Sequence, residues 1–209
     1  MPEPSELEIL LGLMPPVTGS DTDVDWDRMA QSWGRPFPLA YRHFIEIYGA
    51  GTIQASLTIS RPETKGPPGD ASGDASGDMR ADTALAEVLW AESRKAPDLS
   101  GATPRLITWG VDSSGDHLCW DTTDEDPERW PTLVFNRGDS LWRRYDGGMV
   151  DFIVRVLRAD FPECPLGDLS LWGRKSATFL TRSEYGRRLR EGLDPWTGEP
   201  DPYAGMFGR

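Results

Sequence analysis

Histidine and cysteine are scarce in this chain of 209 residues. It contains two histidines, His43 and His117, and two cysteines, Cys119 and Cys164. A structural zinc site takes four such ligands at paired spacings, and this spacing is missing, so no metal site is predicted. Two cysteines, one of them inside an apolar strand pattern, are typical of reduced thiols in a reducing compartment. The sequence therefore favours a cytoplasmic location.

Long apolar runs are missing as well. No apolar stretch approaches the roughly 20 residues needed to cross a bilayer. Residues 1–4 carry no basic side chain, and the apolar run from Ile9 to Met14 is interrupted by Gly12. A secretion signal usually has a basic start followed by an unbroken apolar segment. We therefore expect neither a secretion signal nor a membrane partner.

Motifs for catalysis and cofactor binding are also missing. The chain has no Gly-x-Ser-x-Gly elbow, no phosphate-binding loop and no dinucleotide fingerprint. His117 and Cys119 lie two apart on a predicted strand, which places their Cβ atoms about 6 to 7 Å apart, too far for a direct hydrogen bond. We expect no enzymatic activity and no cofactor. One catalytic alternative stays open, in which Glu46 and Asp116 meet in a cleft.

Acidic residues outnumber basic ones, and the net charge is −12. No long basic run is present that could neutralise a string of phosphates, so nucleic acid is not expected as a direct ligand. An acidic surface of this kind speeds encounters with a basic protein, although it can equally serve solubility alone. Nine tryptophans and 38% apolar residues carry enough apolar surface to form a core. The chain is therefore expected to fold.

Helical spacing of apolar residues predicts two helices near the start of the domain. Asp23 and Asp25 offer capping oxygens before a helical segment at residues 26–33, and residues 37–48 carry aromatic side chains on one face. Gly49 is expected to end the second helix in left-handed geometry, which is accessible mainly to glycine. A strand over residues 51–59 follows. Residues 1–22 are predicted to be a loose segment before the domain.

From residue 105 the period of the apolar residues changes to two. Four strand-like runs, at residues 106–109, 117–120, 132–135 and 141–145, are separated by loops too short for crossover helices. Adjacent runs should therefore pair antiparallel as a meander. A helix over residues 149–157 follows, with an apolar face. The predicted fold class is α+β, a mostly antiparallel twisted sheet packed against helices.

The predicted domain spans residues 23–161. Residues 61–78 repeat Gly, Asp, Ala and Ser after several prolines, which predicts a flexible insertion at the surface. Residues 162–209 form a predicted C-terminal extension with a short strand, a short helix and a tail rich in Gly and Pro. The tail either packs across the body through its aromatic residues, Trp196, Tyr203 and Phe207, or stays mobile.

Three segments together resemble the SUKH superfamily, of the Smi/Knr-like type. They are residues 37–51, the run from Leu106 to Gly110 with the later Gly-Asp and Cys-Trp pairs, and residues 130–152. The likeness covers residues 26–161. The residues that we assign to the motif as scaffold are Tyr48, Gly49, Gly51, Trp109, Gly110, Gly115, Trp120, Trp130 and Trp142. For the tryptophans, a place in the core is favoured over contact with a partner.

This superfamily includes a fungal regulator of cell-wall synthesis and bacterial immunity proteins of polymorphic toxin systems. The resemblance implies a SUKH-like fold and a non-enzymatic immunity protein that binds and neutralises a cognate toxin, with a basic nuclease-like toxin as one candidate partner. The alternative is a regulatory interaction module without a toxin. The acidic residues that we predict to contact a partner are Glu46, Asp112, Asp116, Asp121, Asp124, Glu125, Asp126 and Glu128.

Overall fold

The computed structural model describes residues 4–20, 23–62 and 78–204. In these ranges the chain forms six α-helices and one sheet of eight strands. The helices are α1 (Glu6–Leu13), α2 (Trp26–Trp33), α3 (Leu39–Tyr48), α4 (Met79–Glu92), α5 (Met149–Arg158) and α6 (Arg182–Arg190). The strands are β1 (Gly51–Ile53), β2 (Leu57–Ile59), β3 (Arg94–Lys95), β4 (Leu106–Asp112), β5 (His117–Asp121), β6 (Thr132–Asn136), β7 (Leu141–Tyr145) and β8 (Phe179–Thr181).

The strands lie in the order β3, β7, β6, β5, β4, β2, β1, β8. The predicted meander is confirmed, because β4, β5, β6 and β7 are consecutive neighbours and pair antiparallel. Among the eight strands of the described ranges, the two-residue strand β3 forms the one parallel pair, with β7. The α+β class with a mostly antiparallel sheet is therefore confirmed. None of the helices in the described ranges has the length and apolarity of a membrane span.

The two faces of the sheet are covered unequally. Leu118 and Trp120 of β5 point to a large core that also contains apolar residues of α1, α3 and α5, and we call this side the bundle face. Cys119, between them, points to a smaller core with Ala86 of α4 and Trp142 of β7, which we call the α4 face. Alternation along β5 thus places apolar residues on both faces, as expected for a central strand covered on both sides.

Helix α1 differs from the prediction that residues 1–22 are loose. Ser5 and Glu8 form a capping box, in which the backbone N–H of Ser5 donates to the Glu8 carboxylate at 2.7 Å. Leu10 and Met14 are fully buried, and the Tyr48 hydroxyl donates to the carbonyl oxygen of Met14 at 2.5 Å. The prediction is therefore wrong for this segment. The capping-box spacing was the signal in the sequence that marked a helix start.

The strand predicted over residues 51–59 is a hairpin instead. β1 and β2 pair antiparallel, and the backbone N–H of Ser56 donates to the carbonyl of Ile53 across a two-residue turn. The turn residues Gln54 and Ala55 both have positive φ, +51° and +55°. Such turns usually contain Asn and Gly, so these residue types gave no turn signal in the sequence.

Replacing Gln54 with Asn and Ala55 with Gly should stabilise the protein by about 1 kcal/mol, because both new residues adopt positive φ with less strain. Urea unfolding followed by circular dichroism measures the change. The control is Ala91→Gly on the exposed side of α4, which should lower the free energy of unfolding by about 1 kcal/mol. A double variant no more stable than the starting protein would contradict the strain that we assign to this turn.

The chain beyond residue 161 is also more closely joined to the domain than predicted. β8 pairs with β1 and extends the sheet, and its residue Phe179 packs against Phe44 and Tyr48 of α3. Leu166 and Leu171 are buried in the core of the bundle face. The predicted boundary at residue 161 is therefore wrong, because it cuts through one core. The contacts that join the two parts are non-local, so the sequence pattern did not indicate them.

Of the two segments for which the sequence predicts or allows mobility, the insertion falls largely outside the described ranges, whereas the tail is described as far as residue 204. Of the insertion, the structure describes residues 61, 62 and 78, and Arg61 and Asp78 form an isolated β-bridge. Of the tail, Phe207 lies outside. Trp196 packs against Tyr185 of α6 with ring centroids 5.9 Å apart, and Tyr203 is exposed.

Candidate protein-binding site

The predicted acidic residues fall into three places in the fold. Asp112 and Asp116 lie in the hairpin between β4 and β5, at the start of β5. Residues 121–129 form the connection from β5 to β6, at the other end of β5, and we call them the acidic loop. Glu46 is exposed on α3. Only some of these carboxylates are therefore available to a partner.

Asp112 and Asp116 are buried, with 4% and 0% of their surface exposed. Asp112 accepts hydrogen bonds from the backbone N–H groups of Ser114 and Asp116, both at 2.9 Å. Asp116 accepts from the backbone N–H of Arg137 at 2.8 Å and of Gly167 at 2.6 Å. The prediction that these two carboxylates face a partner is wrong. Buried backbone donors need acceptors, and these aspartates supply them.

This buried pair also holds the loop at residues 166–168 against the hairpin. The backbone N–H of Asp168 donates to Asp112 at 3.3 Å, and Ser113 donates to the Asp168 carboxylate at 2.5 Å. Burial raises the pKa of Asp112. For Asp168, burial opposes ionisation, but hydrogen bonds from Ser113 and Ser170 and the nearby Ser56 hydroxyl hold its pKa well below its usual range.

The acidic loop is stiffened by its own carboxylates. Asp121 accepts a hydrogen bond from the backbone N–H of Thr123 at 3.1 Å, and Asp124 accepts from that of Asp126 at 2.9 Å. Asp126 accepts in turn from the backbone N–H of Glu128 at 3.1 Å. Each bond reaches two residues ahead, the turn-forming pattern of aspartate. Part of the negative charge is therefore used to define the shape of the loop.

Helix α3 fixes the far end of the loop. Glu128 accepts a hydrogen bond from the backbone N–H of Leu39 at 2.6 Å, at the first residue of α3. The N-cap residue of α3 is Pro38, whose side chain has no capping oxygen, so Glu128 supplies the cap from 89 residues away in sequence. A carboxylate at this end also interacts favourably with the helix dipole.

Two more contacts fasten the loop to the domain. The Trp130 ring N–H donates to the carbonyl of Asp124 at 2.8 Å. The Arg35 guanidinium donates to the hydroxyl of Thr122 at 2.7 Å and also to its backbone carbonyl. Arg35 and Thr122 were not predicted to take part. Their pairing joins residues 87 apart in the chain, and no local pattern in the sequence indicates it.

The charges left at the surface of the loop are mostly negative. Glu125, Asp126 and Glu128 are exposed. Arg129 pairs with Asp124 at 2.8 Å and with Asp126 at 3.5 Å, so one of the acidic charges is offset locally. Glu125 has no ion pair with any residue that the structure describes. The loop thus presents a fixed acidic surface on which Glu125 is exposed and not paired with a described basic residue.

Glu46 lies apart from this loop and from Asp116. It is seven residues after Leu39 on α3, about 10 Å further along the helix axis. Because Asp116 is fully buried and occupied by backbone donors, whereas Glu46 is exposed, the two carboxylates do not share a cleft. The catalytic pair left open from the sequence is therefore not formed.

The aromatic scaffold residues of the motif lie in the interior. Trp109, Trp120, Trp130 and Trp142 are between 0% and 2% exposed, which agrees with a place in the core. Trp142 is on the α4 face, where its ring centroid is 5.2 Å from that of Trp90. The other three are on the bundle face. Tyr48 is also buried there, with 1% of its surface exposed.

The motif glycines occupy positions where a side chain does not fit. Gly49 has φ +77° and ψ −164°, a region that essentially only glycine reaches, so its φ is positive as predicted but it is not in the left-handed helical region. A Cβ atom on Gly51 would collide with the carbonyl oxygen of Leu180 in β8. Gly115 has φ +84° in the hairpin, and Gly110 lies at a β-bulge in β4.

Cys119 and His117 both face the α4 side but do not form a reactive pair. Burial raises the pKa of the Cys119 thiol to about 12, so the thiol stays protonated at neutral pH. Burial also lowers the pKa of His117, which is 5% exposed. Among residues 4–20, 23–62 and 78–204, no three side chains of His, Cys, Asp or Glu are gathered closely enough to hold a metal ion.

Neither a scan against protein-family models nor searches of curated proteins and of solved structures found a match for this chain. The assignment to the SUKH superfamily therefore stays a prediction from three sequence segments. The structure of the chain itself shows a preformed acidic surface at the acidic loop.

Proposed function

We propose that this protein is an immunity protein, which binds a basic, nuclease-like toxin through the acidic loop and blocks it. The observation that supports this most is the fixed conformation of the loop, held by Glu128 on α3 and by Trp130 on Asp124. A loop that is already ordered loses little conformational entropy when it binds.

The charge of the loop is the second support for this proposal. Glu125 and Asp126 project from a braced turn, and clustered acidic groups speed association with a basic protein. Such steering raises the association rate more than it slows dissociation, and salt screens it over a distance of about 10 Å at 0.1 M ionic strength. A partner of this kind should therefore bind faster as salt is lowered.

Reversing two charges tests this surface. The variant Glu125→Lys with Asp126→Lys should lower the association rate with the toxin encoded beside this protein's gene by about tenfold at low salt. The matched control is Glu87→Lys with Glu92→Lys, which changes the net charge equally on the exposed side of α4. Surface plasmon resonance at two salt concentrations measures both rates, and co-expression with the toxin measures protection of growth.

Equal association rates for the two double variants would show that the acidic loop is not the contact surface. If none of the neighbouring toxins binds or is neutralised, the immunity proposal fails. The alternative, a regulatory module without a toxin, predicts a different result: a stable host protein binds with the same dependence on Glu125 and Asp126, and toxin expression does not change that binding.

A further inference from the structure

A polar cavity of about 310 Å³ lies between the first turns of α4 and the neighbouring ends of β2 and β4. Its walls include Thr58 and Val111 from the α4 face of the sheet, Asp112 at the end of β4, and Asp82 from α4. This volume is at the small end of the range for ligand sites. The cavity is at the end of β4 near the start of β5, whereas the acidic loop begins where β5 ends.

Asp82 has unused hydrogen-bonding capacity. A carboxylate has about four acceptor sites. Within the described residues, Asp82 accepts one hydrogen bond, from the Ser60 hydroxyl at the long distance of 3.4 Å. Burial raises the pKa of Asp82 to about 6; the Ser60 contact opposes this shift, and the charge of Asp78 adds to it. Asp82 is therefore a half-buried carboxylate, and its hydrogen bonds to the protein only partly replace those that it would make with water.

The rest of the wall is polar and carries no positive charge. Asp112 already accepts three hydrogen bonds from backbone N–H groups, so it adds negative potential to the wall but has less acceptor capacity left than Asp82. Ser56 is 3% exposed, and its hydroxyl makes no hydrogen bond of normal geometry with any described residue. This hydroxyl lies near Asp168, whose pKa it helps to lower. Among the described residues that line the cavity, none is Lys, Arg or His.

We propose that this cavity binds one guanidinium or ammonium group, with Asp82 as its counter-ion. The Thr58 hydroxyl, which shares a hydrogen bond of 3.3 Å with the Thr52 hydroxyl, is the second acceptor. A guanidinium carries five N–H donors and can bridge acceptors that stand apart. A metal ion needs several ligand atoms within about 2.0 to 2.6 Å of one point, and the described carboxylates are not gathered in that way. The arrangement therefore fits an organic cation.

Two sources can supply this group, a free small cation or a basic side chain of a bound peptide. Agmatine is the probe for the first, and the capped tripeptide Gly-Arg-Gly is the probe for the second. Each is titrated into the ¹⁵N-labelled full-length protein, and amide shifts are followed by NMR. The expected result is a saturable shift of Thr58, Val111 and Ser113 with at least one probe, while the amides of the acidic loop do not move.

The deciding variant is Asp82→Asn, and its matched control is Glu87→Gln, which removes one negative charge from the exposed side of the same helix. Asp82→Asn should weaken binding at least tenfold, and Glu87→Gln should change it less than twofold. We expect Asp82→Asn to fold, and its thermal unfolding temperature checks this. The raised pKa of Asp82 means that its ionised form opposes folding at neutral pH, so the variant should unfold at the same or a higher temperature.

Affinity should also rise as pH increases through about 6, because protonated Asp82 carries no charge. The ionisable groups around this cavity include Asp78 before α4, Asp112 on β4 and Cys119 on β5, which stays protonated over this range. His117 pairs with the wall residue Val111, and Asp168 accepts a hydrogen bond from the wall residue Ser113, so their titration is followed in the same experiment. No saturable shift with either probe up to about 50 mM, a limit weaker than most specific binding, would overturn the proposal. Equal binding by Asp82→Asn would overturn it too. Neither result bears on the acidic loop.

Discussion

Replacing Trp120 with alanine should lower the free energy of unfolding by about 3 to 5 kcal/mol, the usual range when a large buried aromatic residue is removed. Trp120 is fully buried at the centre of the bundle face. Four other aromatic rings lie within 6.4 Å of its own, centroid to centroid: Tyr41, Trp130, Phe37 and Trp109. The substitution therefore leaves a cavity bordered by β4, by α3 and by the loops before α3 and β6, and these parts cannot easily collapse into it.

Chemical unfolding followed by far-ultraviolet circular dichroism measures this loss. Trp120→Phe should cost less than Trp120→Ala, because it keeps part of the aromatic contact. The control is Trp196→Ala, which removes a partly exposed ring that packs against Tyr185 and should cost about 1 kcal/mol. If Trp120→Ala costs no more than this control, Trp120 is not the centre of the core.

Asp116→Ala should destabilise the protein by about 3 kcal/mol, because it leaves the backbone N–H groups of Arg137 and Gly167 buried without an acceptor. These bonds join three parts of the chain: the β4–β5 hairpin, the end of β6, and the loop at Gly167, which is 51 residues after Asp116. Loss of the carboxylate should free that loop first. Hydrogen exchange at the amides of Arg137 and Gly167 should become faster than the exchange in β5.

Asp98→Ala is the matched control, since Asp98 is exposed and makes no hydrogen bond with the part of the chain that the structure describes. It should change the free energy of unfolding by less than about 0.5 kcal/mol. If the two variants are equally stable, the hydrogen bonds that Asp116 accepts do not stabilise the fold. The comparison separates an aspartate that fastens the fold from one that only contributes charge.

Much of the fold could be predicted because its signals are local. Alternating apolar residues in β4, β5, β6 and β7, with short connections, predict an antiparallel meander without reference to the rest of the chain. The aromatic face of α3 follows from helical spacing in the same way. Errors arose where the signal was weak. The Gln54–Ala55 turn has no glycine or asparagine, and the capping box of α1 stands outside the predicted domain.

Periodicity and composition are properties of neighbouring residues, and they are enough to predict the meander, the helices α2, α3 and α5, and the excess of acidic charge. The role of each aspartate depends instead on packing between distant parts of the chain. Asp116 and Asp126 are alike as residues in polar loops, yet Asp116 is buried because Arg137 and Gly167 bring unpaired N–H groups to it. Asp126 has only local donors, so it stays in contact with solvent. For these two aspartates, the donors supplied by distant parts of the chain decide which one is buried and fastens the fold and which one stays at the surface.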